Sequence, residues 1–195
     1  MAAPDTTALL ASAREGSEEA LNDLYARVAG KLLTIVRMRL GASLRGRLES
    51  RDILHTVLLR SVERIGQFRG QDGTTLMAWL ARMAENEIRD QADFHGRQRR
   101  RAGVEVPIEE DGRVLPVPAA LPSVVTQIVA DEERERLARA LTLLPSDHRE
   151  VIVLRKLEER GWSEVAERMN RSEDACRMLL ARAMVGLTLQ LREAV

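Results

Sequence analysis

Cysteine, lysine, aromatic side chains and long apolar runs are all scarce in this sequence, and each scarcity excludes something. The single cysteine, Cys176, cannot close an internal disulfide, so the fold is no disulfide scaffold and suits a reducing compartment. Aromatic residues are 3% of the chain, so a core must be built from Leu, Val, Ile, Ala and Met. Val, Thr, Tyr and Phe never gather into alternating runs, which argues against a sheet. No apolar run approaches the ~20 residues of a membrane span. The start, MAAPDTTALLASAREG, lacks the basic-then-apolar order of a signal peptide. The expectation is a cytoplasmic protein with no membrane insertion.

Catalytic patterns are missing too. His55, His95 and His148 are scattered, and the chain has no His/Cys metal spacing, phosphate-cradling glycine loop or nucleophile elbow. Ser146, Asp147 and His148 are adjacent, whereas a triad is assembled from separated elements. That run reads as a helix cap at Ser146. The expectation is a protein without catalysis, cofactor or metal.

What is present is a soluble composition, 45% hydrophobic and 31% charged over 195 residues, with a formal net charge of zero. Nearly all the positive charge is arginine, Lys31 and Lys156 being the exceptions. Arginine suits phosphate and base-edge contacts. Codon bias in a GC-rich genome accounts for much of the number, so the positions of the arginines carry the argument.

Helical periodicity runs through most of the chain. A short helix is expected around residues 7–14. Ser17 can cap a second helix whose first turn holds Glu18 and Glu19 and whose stripe is Leu21, Leu24, Tyr25, Val28, Leu32, Val36 and Leu40. Gly41 is its expected stop. A third helix starts near Ser50 with the stripe Ile53, Leu54, Val57, Leu58, Val62 and Ile65, and residues 67–75 (QFRGQDGTT) read as a polar loop. A fourth carries Leu76, Trp79, Leu80, Met83 and Ile88 into a cluster of Arg97, Arg99, Arg100 and Arg101.

Residues 102–122 hold Pro107, Pro116, Pro118 and Pro122 and read as an extended linker. Periodicity resumes with Val124, Val125, Ile128, Val129, Leu137, Leu141 and Leu144; Pro145 breaks it, and a helix follows through Leu157. Gly161 opens a short helix over 162–169, Asn170 and Arg171 turn, and Ser172 caps a last helix in which Cys176 faces inward. Helix, short turn, helix is the layout of a DNA-reading helix-turn-helix, and a helical hairpin with no DNA role fits the same spacing.

These residues carry a resemblance. Residues 49–68 (ESRDILHTVLLRSVERIGQF), then 79–86 (WLARMAEN) and the arginines, resemble region 2 of extracytoplasmic-function sigma factors. Residues 144–187 are similar to region 4, whose LP-x-x-x-R-E-V-x-x-L-R pattern stands here as Leu144, Pro145, Arg149, Glu150, Val151, Leu154 and Arg155. The resemblance implies an all-α fold of two small helical domains: region 2 over 1–101, a flexible linker over 102–122, and region 4 over 123–195.

Its implied partners are core RNA polymerase and the −10 and −35 elements of promoter DNA, with a Ser/Thr kinase or an anti-sigma factor as the regulator. Glu49, Asp52, His55 and Thr56 would face polymerase. Phe68, Arg69, Asn86, Arg89, Arg97, Arg99 and Arg100 would meet the −10 element, Asn86 holding a flipped base. Arg171, Ser172, Glu173, Asp174, Arg177, Met178 and Arg182 would read −35. Trp79 matches a family aromatic and reads as a core anchor.

Three departures stand out. The acidic pattern D-x-E-D-L-V-Q-E reads Glu49, Ser50, Arg51, Asp52, Ile53, Leu54, His55, Thr56, so Arg51 and Thr56 replace acids that would face a basic partner. Some members without these acids are associated with Ser/Thr kinases, which makes Thr56, and after it Ser50, the candidate phosphorylation site; an inert surface threonine is the alternative. The segment from Phe68 to Trp79 is longer than the common pattern. The recognition helix carries Met178, Leu179, Glu173 and Asp174 where other side chains are usual. Two other readings stay open: a regulator that uses only the helix-turn-helix, with 1–101 sensing or dimerising, and a sigma-like protein that sequesters another regulator.

Overall fold

The computed structural model describes residues 6–41, 44, 48–68, 70, 75–100 and 132–193, except the side chains of 96 and 98–100. The expected linker, the stripe Val124–Val129, Arg69 and Arg101 lie outside these, as do the side chains of Arg99 and Arg100. Among the described residues all regular structure is helical.

The N-terminal helices are α1 (Thr6–Arg14), α2 (Glu18–Arg39), α3 (Ser50–Arg64) with a 3-10 turn over Ile65–Gln67, and α4 (Leu76–Arg100). Ser17 caps α2 as expected, its side chain accepting from the Ala20 amide at 3.2 Å, and Arg37 and Arg39 complement the dipole in the last turn. Ile53, Leu54, Val57 and Leu58 of α3 pack with Leu80, Ala81 and Ala84 of α4 in one core with α2. Two polar ties run through it. Tyr25 bonds the Ser61 hydroxyl at 2.6 Å, and Ser61 donates to the Leu58 carbonyl. Glu87, buried, takes Arg60 and Gln91.

The C-terminal helices are α5 (Glu132–Leu143), α6 (Ser146–Ile152) running into a π-helical turn over Val153–Leu157, α7 (Trp162–Met169) and α8 (Glu173–Glu193). Ser146 is not the cap expected of it. Pro145 holds that position and Ser146 is the first helical residue, with no side-chain cap bond. The fixed φ of proline sets the entry, and the amides it leaves open go uncapped by a side chain. After the π turn the chain closes with the Arg160 amide on the Leu154 carbonyl (3.0 Å) and Glu159 in the left-handed region, φ 58°.

The two groups of helices are in contact. A surface helix buries one stripe, but α2 is buried nearly all round from Val28 to Val36, with Ala29, Leu32, Ile35 and Val36 at 0% exposure. Its own bundle covers one side. On the other, α5 and the π turn pack against it. Gly30 is the point of closest approach: a Cβ there would overlap the Arg134 guanidinium of α5. A glycine inside a helix costs about 1 kcal/mol against alanine, and here it makes room for a neighbour.

Candidate polymerase and nucleic-acid interfaces

The α3 face expected to meet polymerase is open. Glu49, at the N-cap position, and Asp52 in the first turn are exposed, while His55 and Thr56 are half-buried one turn further along. Burying Ile53, Leu54, Val57 and Leu58 turns these polar residues outward, so the inward stripe positions them. Arg51 is exposed beside them and dilutes their charge.

On α4 the exposed face carries Asn86, Arg89 and Arg97, with Asp90 and Asp93 between them. The mixture favours local contacts with bases and phosphates over a broad positive field. Phe68 is a correction. Its ring is buried, 5.3 Å from that of Trp79 and beneath the Arg14 guanidinium, so it packs and does not face nucleic acid in this conformation. Trp79 is half-buried against the core, in keeping with an anchor.

The helix-turn-helix forms as its caps require. Asn170 ends α7 in the left-handed region at φ 51°, the Arg171 amide reaches back to the Ala166 carbonyl at 3.0 Å, and Ser172 accepts from the Ala175 amide at 3.2 Å. Cys176, Leu180 and Ala183 turn inward, leaving Arg171, Asp174, Arg177, Met178 and Arg182 outward. Glu173 is half-buried and Ser172 exposed at the tip.

The arginines expected to read −35 are not bare. Arg177 bonds Glu173 at 2.7 Å and Asp174 at 2.8 Å, and lies over Trp162, which Arg155 also approaches at 5.0 Å. Arg171 bonds Asp147 at 2.5 Å. Exposed pairs of this kind are worth about 0–1 kcal/mol, so DNA can displace the acids cheaply. Trp162 was not expected at this surface, and its only signal is its place next to Gly161 at the start of α7.

Sequence reasoning also missed an ionic cluster between the two groups of helices. Arg39 bonds Glu150 and Glu158, both at 2.7 Å, and lies 3.5 Å from Glu85. Arg168 grips Glu85 through two bonds of 2.8 and 3.0 Å. Arg160, fully buried, bonds Glu158 and Glu164 and stands 3.8 Å from Glu85. Lys31 bonds Glu159 at 2.6 Å.

Burial pushes the Glu85 carboxyl up, but the hydrogen bonds and charge of Arg168, with Arg39 and Arg160 behind, hold it below its ordinary value. Arg39 is likewise desolvated, yet Glu158 and Glu150 keep its guanidinium firmly charged. The available signal was Arg39 itself, a charge continuing the stripe of Leu32 and Val36. Among the described residues no group of His, Cys, Asp and Glu has the arrangement of a metal site, and no helix is long and apolar enough to cross a membrane.

Comparison with known proteins places this geometry in context. Residues 134–186 match the family described as Sigma-70, region 4. Over 150 residues the chain is 31% identical to RNA polymerase sigma factor CarQ of Myxococcus xanthus, spanning 77% of this chain and 75% of that protein. Among solved structures, CnrH in complex with the cytosolic domain of CnrY is similar over 97% of this chain and 99% of its own, with a TM-score of 0.47 and 21% identity. The sigma factor RpoE of Bartonella quintana, in complex with the anti-sigma factor NepR, is similar over 84% of this chain and 92% of its own, with a TM-score of 0.41 and 18% identity.

Proposed function

The chain belongs to the RNA polymerase sigma factors, in their extracytoplasmic-function subfamily, and from that premise we propose that it binds core RNA polymerase and directs promoter recognition, −10 melting and initiation. Its domains are region 2 over 1–101, a linker over 102–122 and region 4 over 123–195. The α3 face with Glu49, Asp52, His55 and Thr56 docks on polymerase. Asn86, Arg89 and Arg97 on α4 meet the unpaired −10 strand, and Arg171, Ser172, Asp174, Arg177, Met178 and Arg182 read −35. Its work is binding, and the reaction belongs to polymerase.

The observation that carries the reading is the outward helix-turn-helix: a left-handed Asn170, the Ser172 cap and a recognition face whose Arg171 and Arg177 point outward, paired with acids near the surface. Capturing unpaired bases costs a few kcal/mol of unstacking. Contacts in the complex with polymerase must offset that cost, so the protein alone binds promoter duplex poorly.

Regulation by phosphorylation is the finer part of the proposal. Thr56 lies one turn beyond the exposed Asp52, half-accessible, where a phosphate of about −1.5 to −2 charge restores a missing acid. Ser50 suits this less well, because it lines a cavity shared with Arg37 and Arg139, which would hold its phosphate within the protein.

Run-off transcription with core polymerase on the protein's own upstream DNA tests both levels. Transcripts from wild type establish a sigma factor active without modification. Transcripts from Thr56→Glu but not Thr56→Ala or wild type establish the switch. Equal core binding by the two variants sinks the switch, and absence of core binding by all three sinks the sigma reading.

A further inference from the structure

Beyond Phe94 the chain has a single Phe, Tyr or Trp, and it stands in the helix-turn-helix with charge on its ring. Trp162 is the first residue of α7 and is half-buried against the edge of the core. The Arg177 guanidinium of α8 lies over its ring at 5.1 Å, and the Arg155 guanidinium of the π turn at 5.0 Å. Three elements therefore meet on one side chain. Two guanidinia beside one ring repel each other, so the negative face of the indole and the polar partners nearby are what keep them there.

Those partners differ. Arg155 donates to the Arg160 carbonyl at 3.2 Å, which fixes its end against the backbone. Arg177, apart from the ring, holds Glu173 at 2.7 Å and Asp174 at 2.8 Å, one turn back on its own helix. DNA acts unequally on these contacts. Glu173 and Asp174 carry the same sign of charge as phosphate, and they occupy N–H groups that a base edge needs. The indole is neutral, belongs to another helix and is anchored in the core, so a phosphate finds no charge on it to repel.

Reading guanine takes two parallel N–H bonds from a guanidinium held in one plane. An arginine side chain has many rotamers, and ordering it weakens binding unless it is ordered beforehand. Of the groups around Arg177, the ring is the one that can do this with DNA in place. We propose that Trp162 is a positioning residue for −35 recognition, its ring holding the Arg177 guanidinium in the plane that reads one base pair. This rests on the reading of Arg177 as a −35 contact.

The test is selection from a barcoded pool of the protein's own upstream DNA, randomised across −35. One arm uses core polymerase and run-off transcription; the other uses duplex binding by the full chain alone at low salt. Arg177→Ala is expected to abolish the preference at one base pair. Trp162→Met, which keeps apolar bulk without a ring, is expected to lower the preference at that same pair by about threefold and leave the other pairs alone. Trp162→Tyr keeps a ring face and is expected to retain the preference. In the Arg177→Ala background, Trp162→Met should change nothing further at that pair.

A Trp162→Met protein that weakens all pairs alike, or acts at a pair that Arg177→Ala leaves untouched, overturns the proposal, as does a Trp162→Tyr protein no more selective than Trp162→Met. Helical circular dichroism and core binding establish folding. Should Trp162→Met lose either, Trp162→Phe takes its place, with a partial loss expected at that pair; a Trp162→Phe protein as selective as wild type then overturns the proposal. Preferences in the duplex arm without transcripts in the polymerase arm sink the sigma reading and leave the role of Trp162 standing. No preference in either arm by wild type removes Arg177 as a reader, and the proposal with it.

Discussion

At the scale of single residues, Tyr25, Ser61 and Glu87 are buried polar groups with definite partners, and Tyr25 makes this measurable. Burial pushes its hydroxyl up to about 12 from an ordinary 10, with the hydrogen bond to Ser61 opposing in part. The unfolded chain therefore releases this proton at a lower pH than the folded one. Stability contributed by neutral Tyr25 is complete below pH 10 and is lost as the pH rises toward about 12. Urea denaturation across that window should show an alkaline loss of about 2–3 kcal/mol that Tyr25→Phe lacks. At neutral pH the same variant should cost about 1 kcal/mol, the net worth of one buried hydrogen bond. An alkaline loss of the same size in both proteins would remove Tyr25 as its source. Thr56 belongs to this scale too: the proposed switch rests on that one half-buried side chain of α3.

At the scale of elements, helix ends do most of the positioning. Ser172 holds the first turn of α8, where the residues proposed to read −35 stand. Ser172→Ala should lower stability by about 1 kcal/mol, and Ser172→Asp should largely retain it, in thermal unfolding. The end of the π turn is the more informative terminus. Glu159 occupies a left-handed conformation that glycine adopts without strain. Glu159→Gly should leave thermal stability within about 1 kcal/mol of wild type, since relief of strain offsets the lost Lys31 pair. The same variant should have a larger radius of gyration in small-angle scattering. Unchanged dimensions would mean that the Lys31 pair contributes nothing to the contact between the two groups of helices.

At the scale of the whole molecule, the contact between the two groups of helices should depend on protonation of Glu85. Glu85 is held below its ordinary value by Arg168 of α7, with Arg39 of α2 and Arg160 beyond the π turn behind it, and Arg168 and Arg160 are the two that belong to the C-terminal group of helices. A carboxylate with a lowered value stabilises the contact fully above its ordinary pKa of 4.5 and loses that effect as the pH falls through the lower value. The radius of gyration should accordingly be constant near neutrality and grow below about pH 4.5. In Glu85→Gln the acid-dependent growth should be shallower. Identical curves for the two proteins would show that Glu85 does not carry the coupling.

The sequence by itself determined the helices, their caps and the order of the reading segments, because those depend on local periodicity and on residues a few positions apart. Ser17, Ser172, Asn170 and the inward Cys176 are all legible that way, and Asp52, Asn86 and Arg177, which the resemblance singles out, are exposed. Ser146 was misread because a serine after a proline looks like a cap, whereas the proline occupies that position. The resemblance put Phe68 among the −10 contacts, and only the packing of Trp79 and Arg14 shows its ring buried. Only the tertiary structure decided that α2 is covered on both sides and that Arg39, Glu85, Glu158, Arg160 and Arg168 meet. Arg39 and Arg168, at the two ends of that set, lie 129 positions apart, and no local rule relates residues so far apart. Their pairing is set by the packing of α5 and the π turn on α2.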